Sequence, residues 1–582
     1  MSERDSDVDT DVVVVGGGNA GFCAAHASRE RGARVLVLEK GGPEEAGGNS
    51  FYTAGAFRVV HDGADGGQRL RELVDDKITQ DRLADTVLEP YTAEQFTEDM
   101  HRLTEGRCDP AMTGILVEDS AEIVGWLAGH GIRWRLMYER QSYLSGGRWV
   151  FFGGLALGTV DGGKGLIAQH TAAARDSGVW VRYRAAVEDL LRAPDGSVRG
   201  VRYRDEAGQP HDVVARSVVL AAGGFEADPE RRARHLGRGW DRAIVRGNPL
   251  NTGEVLELAL AGGAAGHGDW TSCHSVAWDA GAPPGGGDRE LTNQLTRQSY
   301  PVGIVVNKLG RRFVDEGADF RNYTYARYGR EILAQPDGVA FQLFDAKTRP
   351  LLRTEEYDSR PITGAEAKDL VSLAEELGID ADGLIREVAA FNESIVDVAF
   401  DPAIKDGRAA RVDPPKSNWA QALDAAVLRI RGGLRHHVHL RRAAGERAGT
   451  GARPRRPAAA RAVRGRRTGG RPILRKLPRG QRPHRRRGLR APRRPLGCPR
   501  LVALRFWLAE ILARAAGRPA SKRSSSSLPA ARCHHVGYCF PPSGRSRGRA
   551  GGTIDRLIPL NGASSALIVR RWRPGHPRVR VL

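Results

Sequence analysis

Apolar positions along the first part of the chain fall into short β-branched runs separated by polar, helix-like stretches. Val12 to Val15 form an unbroken run, as expected of a strand buried on both faces. A glycine-rich turn follows, then a helical stretch, then "ARVLVLEK" as a second strand. "SVVLAAGGFEAD" predicts another buried strand, ending in Gly223 and Gly224. "GGKGLIAQHTAAARDSGVWVRYRAAVEDLL" predicts a helix that delivers the chain to strand. Further on, "VGIVVN" predicts a strand, "KLG" a hairpin turn and "RRFVDE" the return. After Ala425 this patterning stops. Acids, aromatics and apolar periodicity become too sparse to offset chain entropy, so residues 425–582 are expected to have no stable fold.

The first turn carries chemistry. Gly16, Gly18 and Gly21 fit G-x-G-x-x-G between a strand and a helix. The first glycine allows the tight turn, and the second lets the backbone approach a pyrophosphate. The third lets helix and strand pack closely. The helix N-terminus offers free N–H groups and a positive dipole end to phosphates. Glu39, with Lys40 beside it, ends the second strand, where a carboxylate accepts hydrogen bonds from a ribose. A βαβ turn without a ligand would need only the glycines, not the terminal acid. Glu39 also argues against NADP, whose 2′-phosphate it would repel.

The next segment separates NAD from FAD. In "GGNSFYTAGAF", Gly48, Asn49, Ser50 and Gly55 match a segment of the fumarate reductase and succinate dehydrogenase flavoprotein family. The chain resembles that family from Asp11 to about Ala425, most closely its tricarballylate dehydrogenase branch. The resemblance implies an α/β fold, with a Rossmann-like FAD-binding domain over 1–267 and an inserted α+β capping domain over 268–424. It places Val187 near the adenine, and Gly223 and Gly224 where the backbone passes close to the cofactor. "NTGEVLELALAGGA" is similar to a family helix start, for which Asn251 or Thr252 is the expected cap. Asn49 stands where membrane-bound members have a histidine bonded to FAD, which implies non-covalent FAD.

On the substrate side, the resemblance puts His274 at a histidine that binds a substrate carboxylate. It puts Arg321 over the flavin, carrying the proton opposite the hydride. Without it, both are ordinary surface or core residues. Thr296, Arg297 and Glu316 are further candidates for a proton route or a substrate clamp, although the family's T-E-x-x-R relay is not in register. The implied reaction is dehydrogenation across a C–C bond of a small polycarboxylate. The implied partners are that substrate and an electron acceptor, for which a membrane-associated electron-transfer protein is the candidate. Alternatives are fumarate reductase-like or 3-ketosteroid dehydrogenase-like chemistry.

Composition changes the picture at the C-terminal end. The chain of 582 residues has a formal net charge of +20. From Ala425 onward the net charge is about +37, and the preceding part carries about −17. A basic tail of this kind suggests nucleic acid, but few aromatics interleave its arginines and no recognisable module is present. No nucleic-acid partner is expected. The family's closing segment, with T-F-G-G and Y-P-G-G-S-G-L, is missing after Ala425. GC-rich codons chosen for "DAAVLRIRGGLRHHVHLR" and "RPILRKLPRGQRPHRRRGLRAPRRP" yield both motifs, in order, in a shifted frame. The tail therefore reads as a frameshift product with its origin near Asp424. The acidic N-terminus has no signal-peptide pattern, and "LVALRFWLAEILA" is too short to span a bilayer, so a cytoplasmic location is expected. The six cysteines give no disulfide framework. Cys533, His534, His535 and Cys539 lack the paired spacing of a closed zinc site, and no metal is expected.

Overall fold

The computed structural model describes residues 10–63, 68–283, 286–358 and 363–424, with three short strands beyond them. The expected strand–turn–helix–strand is present as β1 (Thr10–Val15), α1 (Asn19–Glu30) and β2 (Val35–Leu38). β1 runs parallel to β2, with Val12 opposite Val35. On its other side it runs parallel to the strand Pro210–Leu220, with Val13 opposite Val218. β2 in turn pairs in parallel with Trp180–Arg182. All four residues of β2 are buried, which explains why the run is apolar without alternation.

One face of this sheet packs on α1 and the helix Gly162–Asp176 through Phe22, Ala24, Ala25 and Ala174. The other face is covered by the antiparallel strands Ala186–Arg192 and Val198–Arg204, and by Ala259 of the helix Glu254–Ala261. The N-terminal part of Pro210–Leu220 pairs with Val198–Arg204, while Ser217–Leu220 pairs antiparallel with Leu567–Arg570. Leu567–Arg570 also pairs with Arg580–Val581. Apart from these strands and Leu434–His437, the expectation for residues 425–582, including Cys533 to Cys539, lies outside the described residues.

Between the β2 end and Gly162 the chain builds a layer for which the sequence reading had no element. It holds the helices Ala93–Leu103 and Pro110–Gly129 and short strands around the buried Trp134 and Phe57. A separate core lies under a second sheet. Ile304–Val306 pairs antiparallel with Val339–Leu343, which pairs antiparallel with Leu434–His437. Phe341, Leu373, Leu384 and Phe391 fill the space beneath.

Two local expectations are corrected. The hairpin return after "KLG" reduces to a single bridge between Val306 and Arg312. Arg312 instead turns inward to an ion pair with Glu316 at 2.6 Å, both side chains fully buried, which takes this segment out of the ladder. The helix Glu254–Ala261 is not capped by Asn251 or Thr252. Its N-cap is Gly253, whose φ of 84° only glycine adopts readily. Asn251 spends its amide on Glu226, and the Thr252 hydroxyl donates to Glu254 at 2.6 Å.

Candidate FAD cavity and anion site

A cavity of about 610 Å³ opens at the C-terminal end of β1, inside the small-ligand range. Gly16, Gly18, Glu39, Asn49, Val187 and Gly223 line it, together with Lys40 and Gly48. Gly16 has φ 105°, and a Cβ there would meet the Ala221 carbonyl oxygen at 2.4 Å, so the turn admits only glycine. Gly18 faces the open side, where the nearest side-chain atom to an added Cβ is Ser50 Oγ at 3.6 Å. Gly21, Ser50, Gly55 and Gly224 do not line the cavity. Gly21 instead presses on the Gly16 carbonyl and Gly55 on Thr159. Ser50 Oγ accepts from the Asn19 N–H at 3.1 Å, which ties the first turn of α1 to the Gly48–Tyr52 segment. Asn19 is held from behind, its Oδ1 lying 2.9 Å from His170 Nε2.

Glu39 is buried and oriented by two backbone amides. Its Oε2 accepts from Gly17 N–H at 2.7 Å and its Oε1 from Gly41 N–H at 2.9 Å. Each oxygen keeps a second lone pair for a ribose hydroxyl. Burial pushes its pKa up, against the pull of those amides. Lys40 does not point to a phosphate. Its Nζ reaches Glu254 at 2.7 Å and Thr252 Oγ1 at 3.0 Å, holding the helix start against β2. A dinucleotide with a ribose at Glu39 and a pyrophosphate at Gly18 fits these donors and acceptors. Glu39→Arg is expected to weaken FAD binding by at least about tenfold, read by quenching of flavin fluorescence. Unchanged affinity would remove Glu39 from the ribose site.

The cavity wall is gripped from the cap side. Asn49 Oδ1 accepts from the Asn248 N–H at 2.9 Å, and a Cβ on Gly247 would meet the same oxygen at 2.0 Å. Tyr52 donates to the Gly287 carbonyl at 3.2 Å, and the Arg289 guanidinium lies 3.5 Å from the Phe51 ring centroid. A second cluster, of buried charged side chains, is built around Glu356.

Arg321 opens the helix Arg321–Leu333 and is 5% exposed. Its Nη1 donates to Gln298 Oε1 at 3.2 Å, and its buried Nη2 has no hydrogen-bond partner. The same Gln298 oxygen accepts from Arg353 Nη1 at 3.2 Å. Arg353 pairs with Glu356 at 2.7 Å, Arg140 pairs with Glu356 at 3.0 Å, and Arg140 also contacts Glu355. Glu356 further accepts from Thr296 Oγ1 at 2.8 Å and from Gln298 N–H at 2.9 Å. Burial alone would raise the Glu356 pKa, but the charges of Arg353 and Arg140 outweigh it and hold it low. His274 packs edge-on against Tyr325, one turn along the helix from Arg321, with centroids 5.0 Å apart. Its side chain is exposed to solvent. Desolvation, then the charge of Arg246, holds the imidazole below its usual range, so it is neutral at pH 7.

Glu356→Gln is expected to destabilise the fold by about 3 kcal/mol, because the buried Arg353 loses its counter-charge and Arg140 loses one of its two. The Glu356 pKa is lower in the folded state, so its stabilisation is full above the unfolded value of 4.5. It is lost as pH falls through the lower folded value. Thermal melts from pH 7 down to pH 3 check both points, and a variant as stable as the parent at pH 7 contradicts them.

Arg297 and Glu316 take no part in this cluster. Arg297 is locked to Asp279 at 2.8 Å and Glu316 to Arg312, so neither is free for a substrate. Thr296 does join, through Glu356. Arg140, Gln298, Arg353 and Glu356 were not singled out in the sequence, because no motif spacing links them. Only "RTEEY" (Arg353–Tyr357), an arginine three residues before a buried acid, carried a local signal.

The FAD binding domain family matches residues 11–451. Urocanate reductase of Eggerthella lenta is 27% identical over 418 residues, covering 66% of this chain and 59% of that protein. Fumarate reductase (cytochrome) of Shewanella frigidimarina is 26% identical over 394 residues, covering 66% of this chain and 60% of that protein. The chain thus spans about three-fifths of the length of these curated relatives. In fold, the chain is similar to the 3-ketosteroid-Δ4-(5α)-dehydrogenase from Rhodococcus jostii RHA1. The TM-score is 0.50 at 21% identity, over 75% of this chain and 86% of that one. With the glycine turn, the Glu39 cradle and the cavity in place, the chain belongs to the FAD binding domain family.

Proposed function

We propose that the protein is an FAD-dependent oxidoreductase that removes hydrogen across a C–C bond of a small polycarboxylate, with tricarballylate the first candidate. The observation that carries this reading is the buried arginine cluster, in which Arg321 Nη2 is left without a partner. A buried guanidinium N–H without an acceptor is costly, and a substrate carboxylate satisfies it. Bound FAD supplies the hydride acceptor. Arg321 takes the proton from the neighbouring carbon. Its place at a helix N-terminus disfavours its positive charge and eases proton exchange. Gln298 holds the Arg321 and Arg353 guanidiniums together, and Glu356 balances the Arg353 side. His274, neutral at pH 7, donates one hydrogen bond to a carboxylate without adding charge. Asn49, with no imidazole to attack a flavin, leaves the cofactor non-covalent. Flavin that stays with the chain after acid precipitation would overturn that point.

The reverse direction is the second reading, since the relatives from Eggerthella lenta and Shewanella frigidimarina are named as reductases. Mixing oxidised protein with saturated acids, and reduced protein with unsaturated acids, separates the two by which mixture changes flavin colour. A steroid substrate fits less well, because an apolar ring system leaves Arg321 Nη2 without an acceptor.

The same proposal holds that the residues after about Asp424 come from a shifted reading frame. What supports it is the change in composition there, with about +37 of net charge beyond this point. The nucleotide sequence across the codons for Leu423 to Leu428 tests it. DNA binding that survives in the full chain and vanishes in the fragment 1–424 would instead favour a selected basic tail.

A further inference from the structure

Three histidine rings stack alongside α1, and the carboxylate chemistry uses none of them. His170, on the helix Gly162–Asp176, and His26, on α1, are 0% and 1% exposed. Their ring centroids are 5.3 Å apart, with Phe22 5.4 Å from His170 and His130 4.9 Å from His26. His130 Nε2 lies 3.0 Å from the partly exposed Glu30. Within the stack the hydrogen bonds run one way. Asn19 Oδ1 lies 2.9 Å from His170 Nε2 and only accepts, so that nitrogen carries the proton. The neutral ring then has a bare Nδ1, which accepts from His26 Nε2 at 3.2 Å. Burial, then the charge of neighbouring histidines, lowers the His26 pKa to about 4 and that of His170 to about 3, with Glu30 opposing at His26. Both rings are therefore neutral at pH 7. His26 Nδ1, at the far end, is buried with no hydrogen-bond partner, which costs stability.

The near end of the chain is Asn19, the first residue of α1, directly after the cavity-lining Gly18. Asn19 is 6% exposed. Its Oδ1 is taken by His170, with Cys23 Sγ at 3.8 Å from the same oxygen, and its backbone N–H by Ser50 Oγ at 3.1 Å. Its Nδ2 donates to no group among the described residues.

We propose that Asn19 Nδ2 donates to the FAD diphosphate at Gly18, and that His170 is a positioning residue that fixes the Asn19 amide for it. A free asparagine amide rotates broadly about its last bond. Held at Oδ1 by a buried imidazole, it meets a phosphate oxygen with little ordering left to lose. His26 acts one step further back, by donating to Nδ1 and so fixing the His170 tautomer.

The test is titration of the full chain with FAD, followed by quenching of flavin fluorescence. Asn19→Ala is expected to weaken FAD at least about tenfold. A glutamine amide nitrogen stands where His170 Nε2 stands, whereas an asparagine amide reaches only as far as Nδ1. His170→Gln is therefore expected to stay within about threefold of the parent, and His170→Asn to be as weak as Asn19→Ala. Adding His170→Asn to Asn19→Ala is expected to cost no more than about a further twofold, because His170 acts through Asn19. Melting temperatures without FAD are expected to fall alike in the two His170 variants, so lost stability does not account for a difference in FAD affinity between them. Equal FAD affinity in Asn19→Ala and the parent overturns the inference. So does equal affinity in His170→Gln and His170→Asn, or a double variant that sums the two single losses. Where His170→Asn does not fold, the other two variants decide: a His170→Gln protein as weak as Asn19→Ala overturns the inference, and one close to the parent supports it.

Discussion

Restoring the reading frame between Leu423 and Leu428 is expected to give a shorter, more acidic protein that purifies yellow, with about one FAD per chain. The 582-residue chain is expected to hold FAD at least about tenfold more weakly. The described cavity is lined by residues between Val15 and Ala261, among them the glycine turn, Glu39 and Val187. The resemblance to the flavoprotein family adds a last segment, whose glycine turn opens a helix facing the flavin ring. That helix N-terminus stabilises negative charge on the reduced ring. In this chain the strand Leu567–Arg570 pairs with Ser217–Leu220, so the sheet edge is covered there. Equal FAD content and affinity in the two proteins would show that the residues after Asp424 complete the site.

Arg321→Lys, made in the frame-restored protein, is expected to lower turnover by at least about a hundredfold while leaving the bound-flavin spectrum intact. In the parent, one nitrogen of Arg321 is held by Gln298 and another is buried without a partner. A lysine ammonium is a single point and cannot meet both demands. The loss should fall mainly on kcat, because Arg353 and Arg140 still attract the carboxylates. Rates near those of the parent would remove Arg321 from proton transfer.

The two sites differ in how far the sequence exposed them, and the difference is physical. The cofactor cavity is built from contiguous chain. Gly16, Gly18 and Glu39 sit within one βαβ unit, where local spacing fixes geometry, and the buried run Val12–Val15 marks its strand without ambiguity. The arginine cluster is assembled from Arg140, Gln298, Arg321 and the Arg353–Glu356 pair, segments with no shared periodicity. Their meeting is set by tertiary packing, so only the resemblance pointed to Arg321 and His274. Where side-chain pairing competed with pattern, pattern lost. Arg312 and Glu316 looked like a returning strand, and their buried ion pair pulled them out of the ladder. At Gly253 a left-handed φ starts the helix that Asn251 and Thr252 looked suited to cap. The layer between Phe57 and Thr159 gave no chemical motif, and its helices surface only through the core around Trp134.

The most direct measurement is anaerobic mixing of the FAD-loaded, frame-restored protein with tricarballylate and with succinate, following the yellow flavin absorbance. The proposed function predicts bleaching by at least one of these acids, slowed strongly in Arg321→Lys. Failing that, it predicts recovery of colour when the reduced protein meets the corresponding unsaturated acid. A protein that binds FAD but whose flavin is neither reduced by any saturated polycarboxylate nor reoxidised by any unsaturated one would contradict it.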